Sequence, residues 1–593
     1  MTYEPVSFTA GACPANDEGP VYCSLPDAPL RVLKFGSSVL RTAADLPRVA
    51  GEIYRQRRAG KRMIVVVSAL AGETDELFEL ARQAGGGGSE EGVADLVSLG
   101  EEKTAALLNI ACRRVGLDAK VLRPEDLCIR TMGGGLDADP LSIDLPRLSR
   151  LAARHDLLIV PGFVGIDDGG ARALLGRGGS DFTAIFIGGE IGAECVRLYK
   201  DVDGVFDHDP ADGVAARKYD EVSWADCLEV ARPLLQPRSM EYARAKRVRL
   251  EVEAIGSDAP TRVGPVTRPP QPRIEEPRLR VAIAGFGAVG QALFARLQDE
   301  PRFDVTSILV KDTEKLRGSQ APALLTASVE QFLSIEADIL IEATSDLGAA
   351  RSLCRAFLSG GRPAVTASKK LVAGYLPELL GSTADGDLRY SATVGGGVPA
   401  LETARLAREQ GRICRIHGIL NGTVNFVLGE LAEGASFEAA VASARLAGFA
   451  EADPSEDLCG RDVDAKLRIL AAESFGSFDS LDLQIEPLDD ELVGRIRASG
   501  ERWVQFASLI REGRSVSGGV RFIPAHQARD LPALERERNL LSISLEDGRN
   551  WVASGRGAGG VPTAEAIIGD LYDLARDRLV AASPSAEKIW ALA

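Results

Sequence analysis

The stretch that most constrains this chain is Arg280-Val-Ala-Ile-Ala284, an apolar run that passes directly into Gly285-Phe-Gly287-Ala288-Val289-Gly290 and then into an amphipathic segment. A strand that turns on glycines into a helix gathers unpaired backbone N–H groups and the positive end of the helix at one point. With no side chains to block a close approach, that pattern predicts a dinucleotide pyrophosphate at the turn. The following strand candidate, Val305–Val310, ends at Lys311-Asp312. An acid there holds a free ribose hydroxyl and a cation accepts a 2′-phosphate; both are present, so NADP is the favoured reading and NAD stays open.

One such fold does not fill 593 residues, because single cores rarely grow past about 250–300 residues. With 45% apolar and 26% charged residues the rest of the chain is ordinary globular material. Strands are expected at Arg31–Lys34, Met63–Ser68, Leu157–Pro161 and Val196–Tyr199, with a helix over Leu46–Arg58 and a flexible loop at Gly85–Gly88. The second half predicts strands Leu279–Ala284, Val305–Val310 and Ile339–Ala343, and a helix from Gln291. Both halves alternate short β-branched runs with longer amphipathic ones, as α/β domains do. Between them, residues 258–278 hold six prolines and read as a semi-rigid spacer, while residues 1–29 read as a flexible leader.

The 69 Lys and Arg face 85 Asp and Glu, a net charge of −16 that repels nucleic acid and anionic membrane surfaces. Nine scattered cysteines, none spaced as Cys-x-x-Cys, suggest reduced thiols and a cytoplasmic setting. No apolar run reaches the roughly 18 residues that a membrane span needs.

Beyond the glycine turn come Tyr390-Ser-Ala-Thr-Val-Gly395-Gly-Gly397-Val-Pro399, then Gly418-Ile-Leu-Asn421-Gly-Thr423-Val-Asn425, then Gly448-Phe-Ala-Glu451-Ala-Asp453-Pro454, and Gly460-Arg-Asp462-Val-Asp-Ala-Lys466. Asp462 and Lys466 are four apart and share a helix face; taken alone, the pair also suits a solvated surface ion pair. In this order, and with Gly555-Arg-Gly-Ala-Gly559 near the end, the runs closely resemble homoserine dehydrogenase over about residues 279–593. The resemblance implies an NAD(P)-dependent interconversion of aspartate semialdehyde and homoserine. By it Lys466 gives and takes the proton, Asp462 orients it, and Lys369 in Thr366-Ala-Ser368-Lys369 is a second catalytic and cofactor-facing candidate. Gly285, Gly287, Ala288, Val289, Gly290, Lys311, Thr344 and Gly559 would hold the cofactor; Glu451, Asp457 and Gly422 would hold the substrate. Ser391 stands where the family usually has a Glu of a monovalent cation site, so that site would rest on backbone carbonyls around Val394 and its need for a cation is open.

In the first half, Val32-Leu-Lys34-Phe-Gly36-Ser-Ser opens as a strand feeding a small-residue loop able to face phosphate oxygens. Val66-Val-Ser68-Ala-Leu-Ala-Gly72-Glu-Thr74-Asp75, Ser98-Leu-Gly100-Glu101, Gly176-Arg177-Gly-Gly-Ser180-Asp181 and Asp201-Val-Asp203-Gly follow. This half resembles the catalytic domain of aspartate kinase over about residues 30–257. The resemblance implies ATP with Mg2+ as co-substrate, Lys34 stabilising the phosphoryl group and Asp181 organising the centre. Thr74, Glu101 and Arg177 would hold aspartate, and Asp201 and Asp203 would lie against the nucleotide. Ser37 replaces a family glycine, Lys200 a threonine, and Pro233, beside Arg232, a phosphate-facing lysine. Two readings therefore remain: a bifunctional enzyme of aspartate-derived amino-acid biosynthesis, toward threonine and methionine, or a dehydrogenase carrying a noncatalytic kinase-like regulatory or assembly module.

The expected fold is α/β: an amino-acid-kinase-like sandwich (30–257), the spacer, a Rossmann domain (279–400), an α+β substrate and dimerisation domain (401–560), and a segment returning to the Rossmann domain (561–593). The spacer is far below domain size, so the paired regulatory domains of familiar fusions are not expected between the halves. Small-molecule substrates and a homo-oligomer, dimer or tetramer, complete the expectation.

Overall fold

The computed structural model describes residues 30–85, 90–212, 215–231, 234–272, 278–314, 322–381, 387–450, 453–476, 478–528, 531, 538–556 and 559–582. Of the expected loop at Gly85–Gly88, residues 86–88 lie outside the described residues, as do the leader 1–29, Arg232, Pro233 and Glu451. The chain divides into two compact units at Glu275/Glu276, with Arg114–Leu117 grouped with the second.

The first unit is built on an eight-stranded sheet, in the order Glu221–Ser223, Thr261–Gly264, Leu250–Ala254, Val196–Lys200, Leu30–Phe35, Arg62–Val67, Leu157–Pro161, Lys120–Val121. All pairings are parallel except Leu250–Ala254 with Thr261–Gly264. The central strands are buried on both faces, which is why Arg62–Val67 reads Met-Ile-Val-Val-Val without alternation. Helix Gly179–Ile191 packs on Leu30–Phe35, and its apolar face joins Val32, Val66, Val160 and Leu198 in one core. The sheet grows in opposite directions from the junction of Leu30–Phe35 and Val196–Lys200. That junction is a topological switch point, where α/β sheets open a crevice beyond the carboxyl ends of their strands.

The second unit has two six-stranded sheets. The first is wholly parallel, ordered Leu325–Thr326, Phe303–Leu309, Leu279–Ala284, Ile339–Glu342, Ala364–Thr366, Leu388–Arg389, which by chain order is 3-2-1-4-5-6. Its switch point lies between Leu279–Ala284 and Ile339–Glu342. Helix Ala288–Leu297 starts three residues before the expected Gln291, because Gly287 is already its N-cap and the turn opens the helix. The other sheet, Ser480–Ile485, Ser515–Pro524, Trp503–Glu512, Ile413–Ile419, Arg538–Leu545, Asn550–Arg556, is antiparallel except at its first pair. Helices Ala400–Gln410 and Arg461–Phe475 cover it. The last helix, Gly560–Ala582, lies on the parallel sheet's side: Arg296 pairs with Glu565 at 2.9 Å and the ring of Phe303 meets Tyr572 edge-on.

One expectation changes. Residues 258–278 are not a free spacer throughout, since Thr261–Gly264 is an inner strand of the first sheet and Gln271–Pro272 pairs with Arg217–Lys218. The prolines flank this strand instead of interrupting it, and Thr261 and Val263 point inward, which a composition-based reading averages away. Among the described residues no helix is long and apolar enough to cross a membrane, and Cys112, Cys128, Cys195, Cys227, Cys354, Cys414 and Cys459 are free thiols.

Candidate active sites

At the switch point of the parallel sheet, Gly285 has φ +102° and a Cβ there would meet the Ala343 carbonyl at 2.4 Å. A Cβ on Gly290 would meet the Gly285 carbonyl at 2.3 Å, whereas one on Gly287 would have nothing within 4 Å. Two glycines thus hold the turn tight and the third leaves open space in front of the helix that Ala288 and Val289 begin, a cradle that fits a pyrophosphate. Gly559 (φ +127°) bends the chain so that Gly560 comes onto the Ala288 carbonyl. Thr344 donates its N–H (2.7 Å) and hydroxyl (2.9 Å) to Glu342, a fully buried carboxylate whose desolvation raises its pKa. Lys311 is exposed on the outer lip, 3.3 Å from Asp346.

The carboxyl end of this sheet also delivers Lys369, N-terminal on helix Lys369–Leu380, whose cap is Ser368. It forms a hydrogen-bonded ion pair with Asp462. Asp462 lies in the first turn of Arg461–Phe475, where the helix dipole favours a carboxylate, and its other oxygen is 2.6 Å from Lys466 one turn on. The expected four-residue spacing is therefore a buried contact, not a solvated one: Asp462 and Lys466 are 8% and 7% exposed. Burial opposes the charge on Asp462, but the ammoniums of Lys466 and Lys369 outweigh it and bring its pKa down to about 2. Lys466 is lowered as well, by desolvation against the pull of Asp462, with Lys369 adding repulsion. Both proton affinities fall, that of Asp462 because one carboxylate faces two cations and that of Lys466 because its desolvation outweighs the single carboxylate it shares with Lys369.

Lys466 also donates to the Leu420 carbonyl at 2.5 Å, and Asn421, which caps the helix that Gly422 opens, donates to Asp457 at 3.1 Å. Desolvation and the neighbouring Asp462 raise Asp457. The chain thus brings Lys369, Asp457, Asp462, Lys466 and the 420–422 turn together. Asn421 and the Leu420 carbonyl were not singled out from sequence, although Asn followed by Gly and Thr before an apolar run is a cap signal. Near Val394, which is fully buried, Ser391 donates its N–H to Asp570 at 3.0 Å. Among the described residues no group of three or more His, Cys, Asp or Glu is placed to hold a metal ion.

In the first unit, Lys34 projects from its strand opposite Leu198, and Lys200, two residues further along the neighbouring strand, faces the same way. Between them stands Asp181, in the first turn of helix Gly179–Ile191, 2.5 Å from Lys34 and 2.8 Å from Lys200. All three are buried. Burial opposes ionisation of Asp181, yet Lys200 and Lys34 hold its carboxyl well below the usual range; Lys34 itself is lowered by desolvation. A Cβ on Gly36 would sit 2.4 Å from the Lys34 ammonium, so a side chain there would push that flexible end aside. Gly100 lets helix Glu90–Arg114 approach Ala69, so that Glu101 accepts the Ala69 N–H at 3.2 Å. The second oxygen of Glu101 is buried with no hydrogen-bond partner among the described residues, and burial pushes its pKa up to about 7. Thr74 lies in the first turn of helix Glu73–Gln83, Arg177 is exposed in the turn before Gly179, Asp201 is exposed, and Asp203 pairs with Lys218 at 2.9 Å.

Geometry and topology together define a nicotinamide-dinucleotide oxidoreductase unit joined to an α/β unit that buries two lysines around one carboxylate at its switch point. Residues 285–390 match the NAD binding domain of homoserine dehydrogenase, residues 399–572 homoserine dehydrogenase, and residues 29–249 the amino acid kinase family. The chain is 30% identical over 333 residues to the homoserine dehydrogenase of Corynebacterium glutamicum, covering 52% of this chain and 75% of that one. It is 35% identical over 226 residues to an aspartokinase of Geobacillus stearothermophilus, covering 38% of this chain and 56% of that one. A crystal structure of a homoserine dehydrogenase from Thiobacillus denitrificans is similar with a TM-score of 0.44 at 27% identity, over 52% of this chain and 75% of that one. The chain belongs to the homoserine dehydrogenase family and carries an amino acid kinase domain ahead of it. It spans only a little over half the length of the aspartokinase it matches.

Proposed function

We propose that the chain is bifunctional, phosphorylating L-aspartate to 4-phospho-L-aspartate in its first unit and interconverting aspartate semialdehyde and L-homoserine in its second. One repeated observation carries this reading: each unit buries a carboxylate between two lysines beyond the carboxyl ends of a parallel sheet, Lys34–Asp181–Lys200 and Lys369–Asp462–Lys466.

In the second unit, the glycine cradle, Thr344 and Lys311 would hold a nicotinamide dinucleotide, NADP by the position of Lys311, which when bound supplies or accepts hydride. Lys466, with its lowered proton affinity, gives its proton to the substrate oxygen on reduction and takes it back on oxidation. Asp462 holds Lys466 and Lys369 in place, the Leu420 carbonyl fixes the direction of the Lys466 ammonium, and Asp457 receives the substrate's amino group.

In the first unit, Glu101 presents its unpaired oxygen to the ammonium of aspartate. A β-carboxylate oxygen attacks the γ-phosphorus of Mg-ATP, the bond from phosphorus to the β,γ-bridging oxygen breaks, and ADP leaves; charge is conserved without a proton transfer. Lys34 offsets charge on the transferring group. A reducing cytoplasmic setting is supported by the free cysteines, and self-association into a homo-oligomer belongs to the same proposal.

Two assays on the purified chain test it: NADP reduction by homoserine, and aspartate-dependent ADP formation with acyl phosphate trapped by hydroxylamine. Lys466→Ala should abolish the first alone and Asp181→Ala the second alone. If homoserine oxidation persists but no hydroxamate rises above the Asp181→Ala control, the first unit is a noncatalytic module and the bifunctional reading fails.

A further inference from the structure

We infer that Lys200 is a second phosphate-contacting cation of the first unit, working with Lys34 on the terminal phosphoryl group of the nucleotide. The inference rests on the kinase reading above and adds to it a residue to which the resemblance assigns no role.

Lys34 stands near the carboxyl end of Leu30–Phe35 and Lys200 ends Val196–Lys200. These two parallel neighbours are the pair between which the sheet reverses its direction of growth, so the two ammoniums flank the crevice where such sheets take their ligands. They also face the opening of a thirteen-residue helix that begins at Gly179, whose free N–H groups add positive potential.

Lys34, Asp181 and Lys200 are 4%, 5% and 8% exposed, and one carboxylate cannot neutralise two ammoniums. Glu101, the remaining nearby acid acting on Lys34, is half protonated at about pH 7 and offers little compensation. Burying a surplus positive charge is costly unless an anion completes the site. Lys200 also donates to the Leu234 carbonyl at 3.1 Å. Of its three N–H groups, two are thereby directed at protein and one remains for a ligand oxygen. Asp181 is the positioning residue, spacing the two lysines across the crevice as a phosphoryl group requires.

The test uses the full chain and compares binding of Mg-ADP with that of a nonhydrolysable Mg-ATP analogue, alongside kcat from the hydroxylamine assay. For Lys200→Met the preference for triphosphate over diphosphate should fall by about tenfold, as loss of one charge-assisted hydrogen bond predicts, while Mg-ADP binds as before. Its kcat should fall by about 10²–10³-fold. An unchanged preference with unchanged kcat overturns the inference. Should Lys200→Met fail to bind Mg-ADP at all, Lys200→Arg decides: it must retain the triphosphate preference, and normal Mg-ADP binding without that preference also overturns the inference. The kinase reading fails separately, if the unaltered chain neither binds Mg-ATP nor yields hydroxamate.

Discussion

At the residue scale the chemistry of both units depends on acids and bases whose proton affinities burial has moved apart. Glu101 is the clearest case. Its pKa rises from an ordinary 4.5 to about 7 because its desolvation outweighs the Ala69 N–H and the charge of Lys34, which pull the other way. The native state therefore holds a proton that the unfolded chain has released between those values, and the first unit loses stability as pH rises from about 4.5 to 7. Glu101→Gln removes that dependence, so above pH 8 the variant should be more stable than the parent by about 3 kcal/mol and at pH 4 no different, measured by urea unfolding. On the proposed reading, binding of aspartate needs the ionised form. Its KM should fall about tenfold per pH unit up to about 7 and then level off; a flat profile would remove Glu101 as the partner of the substrate ammonium. In the second unit, Lys466→Met should lower kcat for homoserine oxidation by about 10²–10⁴-fold with cofactor affinity retained. Turnover within threefold of the parent would reject Lys466 as the proton carrier.

At the scale of elements, the glycine turn separates two roles that a sequence pattern joins. Gly285→Ala places a Cβ at φ +102° and 2.4 Å from the Ala343 carbonyl, so it should lower both the melting temperature and cofactor affinity. Gly287→Ala meets nothing in the protein within 4 Å. It should leave the melting temperature unchanged and weaken NADP binding at least about tenfold, because the added methyl occupies space meant for pyrophosphate; undiminished binding in a titration would show that the cradle lies elsewhere. The same turn explains what was legible. Strand, glycine and helix are contiguous, so one local pattern specifies them, as it does for Arg62–Val67 with its unbroken apolar run. Lys369 and Asp462 are 93 residues apart, and no local periodicity announces their ion pair. Lys200 stands just past the expected strand Val196–Tyr199, where it reads as a departure from the family's threonine; its ion pair with Asp181, 19 residues earlier on the preceding helix, follows from no local periodicity. Thr261–Gly264 was lost for the opposite reason, a genuine strand whose four residues are outweighed by the prolines around them.

At the scale of the whole molecule, each of the two units has a core of its own among the described residues. Val32, Val66, Leu158, Ile185 and Leu250 lie in the core of the first, and Leu340, Leu371, Val463, Leu470 and Leu541 in that of the second. A core of this kind melts as a cooperative unit. Calorimetry of the full chain should therefore resolve two transitions. A ligand that binds only one folded unit stabilises that unit by about 2.7 kcal/mol at a hundred times its Kd, and leaves the other untouched. NADP should raise one melting temperature and Mg-ADP the other, each by several degrees, with Lys200→Met preserving the Mg-ADP shift because the diphosphate lacks the group that Lys200 is inferred to contact. A single transition raised equally by either ligand would mean that the units fold as one, and the assignment of one nucleotide site to each would then have to be re-established by binding stoichiometry.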